Sequence, residues 1–166
     1  MSQIRWTKTV LILLVIFVNI GCDQVSKHIV RDSITPNAAI HLLSNHITVT
    51  NVENTGAFLS VGSSLPKMVK NILLTLLPFV AVLFSLLYVF TKQNLPVSML
   101  VAFCFVIGGG IGNVFDRMVY GSVTDFLHLD FAIFKTGIFN MADLSIIAGF
   151  TMILIQSIVK RKFVSF

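Results

Sequence analysis

Charge is scarce in this chain. Aspartate, glutamate, lysine and arginine make up 11% of its 166 residues, seven of them acidic, and the mean hydropathy is +0.90. A soluble domain carries about 25% charged residues, so an ordinary soluble fold is excluded. Cysteine is nearly absent as well. Cys22 and Cys104 are the only two, both inside or beside apolar segments, and their spacing fits neither a disulfide framework nor a metal centre. They read as packing residues. His28, His41, His46 and His128 are scattered and lack the i, i+4 pairing with a Glu that a zinc-peptidase helix shows. No metal and no cofactor is expected. The net charge of +5 does not mark a nucleic-acid binder, because the basic residues sit mostly at the flanks of apolar runs, where topology determinants belong.

What the chain has in abundance is long apolar sequence. Three runs, 72–90, 95–114 and 138–159, are each long enough for the roughly 20 helical residues that cross a bilayer core. A fourth, 10–22, is shorter. It follows Arg5 and Lys8 and ends Ile20-Gly21-Cys22, which looks like a lipoprotein export signal that would be removed. The alternative is a retained helix continuing to about residue 30, and the polar residues favour it. Asn19, Asp23, Lys27 and Arg31 recur every fourth position and so share one helix face. That stripe must face protein, since a charge at the bilayer centre costs at least about 2.5–3.5 kcal/mol. Asp23 ahead of Lys27 is also the favourable order for an i, i+4 ion pair.

These runs predict an all-α membrane protein of four transmembrane helices, at about 9–30, 71–91, 95–115 and 138–159, forming one domain over 1–166. Arg5, Lys8, Lys92, Lys160, Arg161 and Lys162 lie on the side of the termini, which the positive-inside rule makes cytoplasmic. Asp23, Lys27, Asn113, Asp116, Arg117, Asn140 and Asp143 then converge at the outer leaflet. The outer connections, about 40–62 and 121–135, carry β-branched patterns that predict a small extracytoplasmic sheet. Residues 46–52 read as a strand, Asn54-Thr55-Gly56 as the turn of a hairpin, and 57–61 as its return. Val123–Leu127 and Phe131–Phe134 read as short strands joining it. Lys67 and Lys70 among Leu65, Met68 and Val69 predict an interfacial helical turn leading into the second span.

Asp143 follows Asn140 and Ala142 in an otherwise apolar helix, and an intramembrane carboxylate is a functional candidate by default. The plainer account is an acid favoured by a helix N-terminus. Asp125, in a strand-like apolar context, proves little alone. Brought together, two partly desolvated carboxylates cannot both ionise easily, so one keeps a proton while the other can activate water. Asn113, Asp116 and Arg117 could equally be a polar cap with the arginine snorkelling. Gly108-Gly109-Gly110-Ile111-Gly112 lacks the Lys and Ser or Thr of a phosphate loop, and the four-residue spacing of Gly108 and Gly112 suits close helix packing. Asn54 and Gly56 are either turn residues or site residues.

Five motifs, in order, are Asp23-Gln24-Val25-Ser26-Lys27, Asn54-Thr55-Gly56-Ala57-Phe58, the run from Gly109 to Arg117, Val123-Thr124-Asp125-Phe126 and Phe139-Asn140-Met141-Ala142-Asp143. Together, across nearly the whole chain, they resemble the bacterial lipoprotein signal peptidase family, also called signal peptidase II. The resemblance implies a multi-pass aspartyl endopeptidase of the bacterial inner membrane, acting near the outer leaflet. It would cut the signal peptide from a diacylglyceryl-modified prolipoprotein before the lipidated cysteine. Asp125 and Asp143 take the catalytic roles. Asp23, Lys27, Asn54, Gly56, Gly109, Asn113, Asp116, Arg117, Asn140 and Ala142 fall on motif positions that bind substrate or shape the site. The resemblance also implies membrane lipid and a lipid-modified precursor as partners, inhibition by a globomycin-type cyclic peptide, and an extracytoplasmic β cradle. A monomer is expected. An ion-coupled carrier would also place carboxylates and an arginine in a helical bundle, but the sequence has no paired broken helices or inverted repeats. A scaffold using intramembrane ion pairs for assembly alone is a further alternative, and aspartate-to-asparagine exchange separates it from a protease.

Overall fold

The computed structural model describes residues 2–57, 61–92, 94–131 and 133–164. Among the described residues, four helices are long and apolar enough to cross a membrane, spanning Trp6–Ser33, Lys67–Thr91, Val97–Val119 and Met141–Val159. The first is continuous within α1 (Ser2–Ser33), as the every-fourth-residue polar stripe requires. Asp23 and Lys27 are fully buried on it and Asn19 nearly so, while Phe17, Val25 and Ile29 point outward. An outward apolar face and an inward polar stripe are what a lipid solvent selects. Cys104 is buried as expected, but Cys22 is exposed on the outer face of α1 and does not pack.

The second span joins α2 (Lys67–Lys70), a π-helical turn (Asn71–Leu76) and α3 (Leu77–Thr91). Pro78 explains the widened turn. It has no N–H to donate and its ring crowds the carbonyl four residues back, so the backbone opens to an i→i+5 bond in which Leu77 N–H donates to Ile72 O. The expected helical turn is present at Lys67–Lys70, with Met68 exposed.

The third span, α4 (Val97–Val119), lies at the centre and packs on α1, α3 and the last helix, α5 (Met141–Val164). Ile12, Ile16, Val89, Leu100, Cys104 and Ile107 form the apolar core of α1, α3 and α4. The glycine run lets the backbones approach. A Cβ at Gly108 would come within 2.7 Å of Asn19 Cβ on α1, and one at Gly112 within 2.5 Å of Asp23 Oδ2. One at Gly109 would strike the backbone carbonyl of Ala142 on α5 and sit 2.9 Å from Ile146 Cγ1. Gly109→Ala is therefore expected to lower stability by about 1–3 kcal/mol. Gly21→Ala, with nothing within 4 Å, is expected to be neutral or slightly stabilising. Thermal unfolding in detergent compares the two.

The sheet is antiparallel in the order β1 (Ala39–Leu42), β2 (Ile47–Asn54), β3 (Val123–Phe131), β4 (Phe134–Lys135). The predicted hairpin runs the other way. Strand β2 pairs with β1 before it, Leu42 opposite Ile47, and its other neighbour is β3. Its turn is Leu43-Ser44-Asn45, all at positive φ (49°, 53° and 71°), a conformation usually signalled by glycine and here adopted without one. Asn54-Thr55-Gly56 instead folds as a side-chain turn, with Gly56 N–H donating to Asn54 Oδ1 at 2.8 Å. In the expected return strand, residues 58–60 lie outside the described residues, as does Phe58 of the second motif. Residues 138–140, expected to open the fourth span, are not helical. Phe139 pairs with Leu127 of β3, so α5 starts at Met141.

Candidate active site

Two elements meet at Phe139. Its carbonyl accepts from Phe126 N–H at 3.0 Å and Leu127 N–H at 2.9 Å, and its own N–H donates to Leu127 O at 2.9 Å. This stitching sets β3 beside the entry to α5, so Asp125 on the strand lies next to Asn140. In the β2–β3 register Val52 faces Asp125 and Asn54 faces Val123. Opposite residues share a face, and so do residues two apart, which puts Asn54 and Asp125 on one side as diagonal neighbours. Asn54 Nδ2 donates to Asp125 Oδ2 at 2.8 Å, and Asn140 Nδ2 donates to Asp125 Oδ1 at 2.6 Å.

Asn140 also binds the second carboxylate. It caps α5, its Oδ1 accepting from Asp143 N–H at 2.9 Å, while Asp143 Oδ2 reaches back to Asn140 N–H at 3.3 Å. This reciprocal pair satisfies two donors otherwise orphaned at a helix start. Asp143 Oδ1 accepts from Asn113 Nδ2 on α4 at 2.7 Å. A third first-turn donor, Ala142 N–H, goes to Asp23 Oδ1 at 2.9 Å. Ala142 has to be small there, since it is fully buried with Gly109 and Gly112 against it.

Beneath the carboxylates lies a buried ion cluster. Lys27 Nζ stands 2.7 Å from both Asp23 Oδ2 and Asp116 Oδ2, with all three side chains fully buried, and donates to Asn113 Oδ1 at 3.1 Å. Asn113 thus reads Lys27 through its carbonyl and Asp143 through its amide, which fixes its orientation. Arg117 donates to Gly56 O at 3.0 Å, tying the Asn54 turn to α4.

A cleft of about 360 Å³ opens beside this assembly, lined by Asn113, Arg117 and Asp143 together with Leu74, Pro78 and Ile147. Asp143 lines it directly. Asp125 does not, being 3% exposed behind its two asparagine partners. Burial pushes the Asp125 carboxyl up to about 6, reinforced by the nearby Asp143 charge and opposed by the Asn54 and Asn140 hydrogen bonds. In the unfolded chain that group titrates near 3.9. The folded protein holds its proton more tightly across the interval from about 4 to about 6, so its contribution to stability falls as pH rises through that window. Asn54 Nδ2–H stabilises the ionised form, and Asn54→Ala is expected to move the Asp125 titration above pH 6. The check is carboxyl ¹³C NMR on aspartate-labelled protein, with Asp125→Asn supplying the assignment.

All the residues expected at the site gather here except Gly109, which acts one turn away as the packing surface for Ala142. Asn113 and Asp116 are not a headgroup cap but buried connectors, and Arg117 faces the cleft rather than snorkelling. Sequence reasoning missed Gln24, whose Nε2 donates to Asp23 Oδ2 at 3.0 Å and Asp116 Oδ1 at 3.1 Å. Its signal was a polar side chain beside Asp23 in an apolar helix. It also missed Ser145, which donates to Asn19 Oδ1 at 2.7 Å between α5 and α1.

A sequence profile described as Signal peptidase (SPase) II matches residues 15–159. A lipoprotein signal peptidase of Solibacter usitatus is 28% identical over 156 residues, covering 94% of this chain and 93% of the relative. One from Chlorobium phaeobacteroides is 34% identical over 144 residues, covering 80% and 86%. Among solved structures, a chain described as a bacterial membrane enzyme superposes with a TM-score of 0.81 at 22% identity, covering 93% of this chain and 91% of that one. A second so described gives 0.75 at 23% identity, with 87% and 90% covered. At these identities the superpositions speak to the fold.

Proposed function

The chain belongs to the signal peptidase II family, and from that premise we propose that it is an aspartic endopeptidase that removes the signal peptide from diacylglyceryl-modified prolipoproteins, cutting before the lipidated cysteine. The observation that carries the reading is the bridge at Asn140. One residue hydrogen-bonds both Asp125 and Asp143, and Asp143 lines a cleft with apolar walls at the helix ends.

Two carboxylates close together in a water-poor setting cannot both ionise easily, and burial beside the Asp143 charge holds the Asp125 carboxyl up at about 6, which supports a shared proton. The pair titrates as a unit. Its ionised carboxylate takes a proton from water as the water oxygen attacks the scissile carbonyl carbon. Its protonated partner gives its proton to the carbonyl oxygen, forming a neutral gem-diol. As the C–N bond breaks, the proton gained from water passes to the departing cysteine nitrogen, and one gem-diol hydroxyl returns its proton to the other carboxylate, which restores the dyad. The products are a signal-peptide acid and a free amine on the lipid-bearing cysteine.

The cleft lies among the second span, α4 and α5, where a substrate held in the bilayer meets it without leaving the membrane. Apolar contact with Leu74, Pro78 and Ile147 supplies affinity, while Asn113 and Arg117 orient the peptide. With both termini cytoplasmic, the site lies at the outer leaflet. The enzyme acts as a monomer with no metal or cofactor, and a globomycin-type peptide occupies the same cleft. The test is incubation of the purified protein with a precursor carrying or lacking the diacylglyceryl group, with the cut mapped by mass spectrometry. Cleavage of the lipidated form alone, immediately before its cysteine, is the expected result. Cleavage of both forms equally, or of neither, contradicts the reading.

A further inference from the structure

The face of β3 opposite Asp125 carries a second polar junction that this chemistry leaves without a role. Glu53 and Thr124 are cross-strand partners one step from Val52 and Asp125, and successive strand residues point to opposite faces. Thr124 is fully buried. Its hydroxyl donates to Glu53 Oε1 at 2.7 Å and accepts from Arg31 Nε at 2.7 Å, so both its roles are occupied. Ser122 donates to the other Glu53 oxygen. Arg31, in the last turn of α1, sends Nη2 to within 3.3 Å of Asp116 Oδ1 on α4, an ion pair without an aligned hydrogen bond. The guanidinium carbon lies 4.1 Å from the centroid of the Tyr120 ring.

One guanidinium therefore touches the end of α1, the end of α4 and the residue next to Asp125. Asp116 leads on through Lys27 and Asn113 to Asp143. The β2–β3 ladder is irregular between Val49 and Val52, beside Asp125. Side-chain anchors there add to the backbone pairing of Val52 with Asp125 and of Glu53 with Thr124.

We propose that Arg31 is a positioning residue for the dyad: by pinning Thr124 to Asp116 it fixes where the strand bearing Asp125 stands against the helices that hold Asp143. The inference rests on the dyad reading above. Arg31 does not line the cleft, so its loss acts on the chemical step and leaves substrate binding nearly intact. A displacement of about 1 Å in a reacting group costs about 10²-fold in rate. Thr124→Val keeps the shape and strand preference of the side chain and removes only the hydroxyl, whereas Thr124→Ser keeps the hydroxyl.

The experiment measures kcat and KM separately on a lipidated precursor for Arg31→Met, Thr124→Val, Thr124→Ser and the Arg31→Met/Thr124→Val double variant, each with its melting temperature. The expected result is a kcat lower by about 10- to 100-fold in Arg31→Met and Thr124→Val, with KM changed less than about twofold. Thr124→Ser restores kcat to near wild type, and the double variant is no slower than the worse single one, because both break the same connection. A Thr124→Val protein with wild-type kcat, or with only a lowered melting temperature, overturns the proposal, and so does multiplication of the two losses. If Arg31→Met fails to fold, the contrast of Thr124→Val with Thr124→Ser decides. Asp125→Asn and Asp143→Asn run alongside: turnover retained in them sinks the dyad reading itself, while turnover lost in them with Thr124→Val unaffected sinks only the positioning role.

Discussion

Asp125→Asn and Asp143→Asn are each expected to lower turnover of a lipidated precursor by about 10³-fold or more while leaving a folded protein. An amide neither takes a proton from water nor gives one to a carbonyl oxygen at neutral pH, so either exchange breaks the proton cycle. The fold survives because opposing terms are similar in size. Asp125 accepts from two amide nitrogens, and an asparagine there offers one carbonyl oxygen, so one donor of Asn54 or Asn140 is left facing an NH₂ group. Against that loss stands the relief of burying a neutral group where burial pushed a carboxyl up to about 6. The double variant should be no slower than the single ones, since the two groups act as one unit. Turnover assays with melting curves in the same detergent give both halves of the test.

Lys27→Met carries the largest effect on stability, an expected loss of about 3–5 kcal/mol. Methionine nearly matches the lysine stem in length, so packing is largely conserved, but Asp23 and Asp116 are left fully buried without the ammonium 2.7 Å from each. Removing the whole cluster is different from removing its centre. The triple variant Asp23→Asn/Lys27→Met/Asp116→Asn should regain part of the lost stability, because no carboxylate of the cluster is left buried without a cation, while Arg31 loses its partner Asp116. It should not regain activity. Asn113 Oδ1 has lost its donor, and with it the constraint that aims Asn113 Nδ2 at Asp143. Denaturation at low and high salt separates this cluster from a surface pair, since ions do not screen charges they cannot reach.

The parts of this protein legible in its sequence are those governed by local periodicity. The Asn19-Asp23-Lys27-Arg31 stripe in an apolar helix could face only protein, and it does. The glycine run announced close helix contact, and Gly108, Gly109 and Gly112 each meet a neighbouring helix. Strand β2 and the first half of β3 were visible in β-branched residues, but β1, the run of β3 on to Phe131 and the pairing were not. Leu43-Ser44-Asn45 makes a hairpin turn without a glycine, while Asn54-Thr55-Gly56, which looks like a hairpin signal, closes on itself and aims an amide at Asp125. The start of α5 moved to Met141 because Phe139 was claimed by a strand twelve residues earlier, a tertiary demand that no local pattern records. Arg31 with Thr124, and Gln24 with Asp116, depend on how helices and sheet are rotated against one another. That rotation is set by packing across the whole bundle.

The most direct test of the central claim is a single turnover of a diacylglyceryl-modified precursor in H₂¹⁸O, with intact-mass analysis of both the released signal peptide and the enzyme. Water activated by the Asp125–Asp143 pair places one ¹⁸O in the new carboxyl group of the peptide and leaves the enzyme mass unchanged. An unlabelled peptide with ¹⁸O in an aspartate, or a peptide covalently held on Asp125 or Asp143, would mean that a carboxylate attacks the scissile bond itself and would contradict the account.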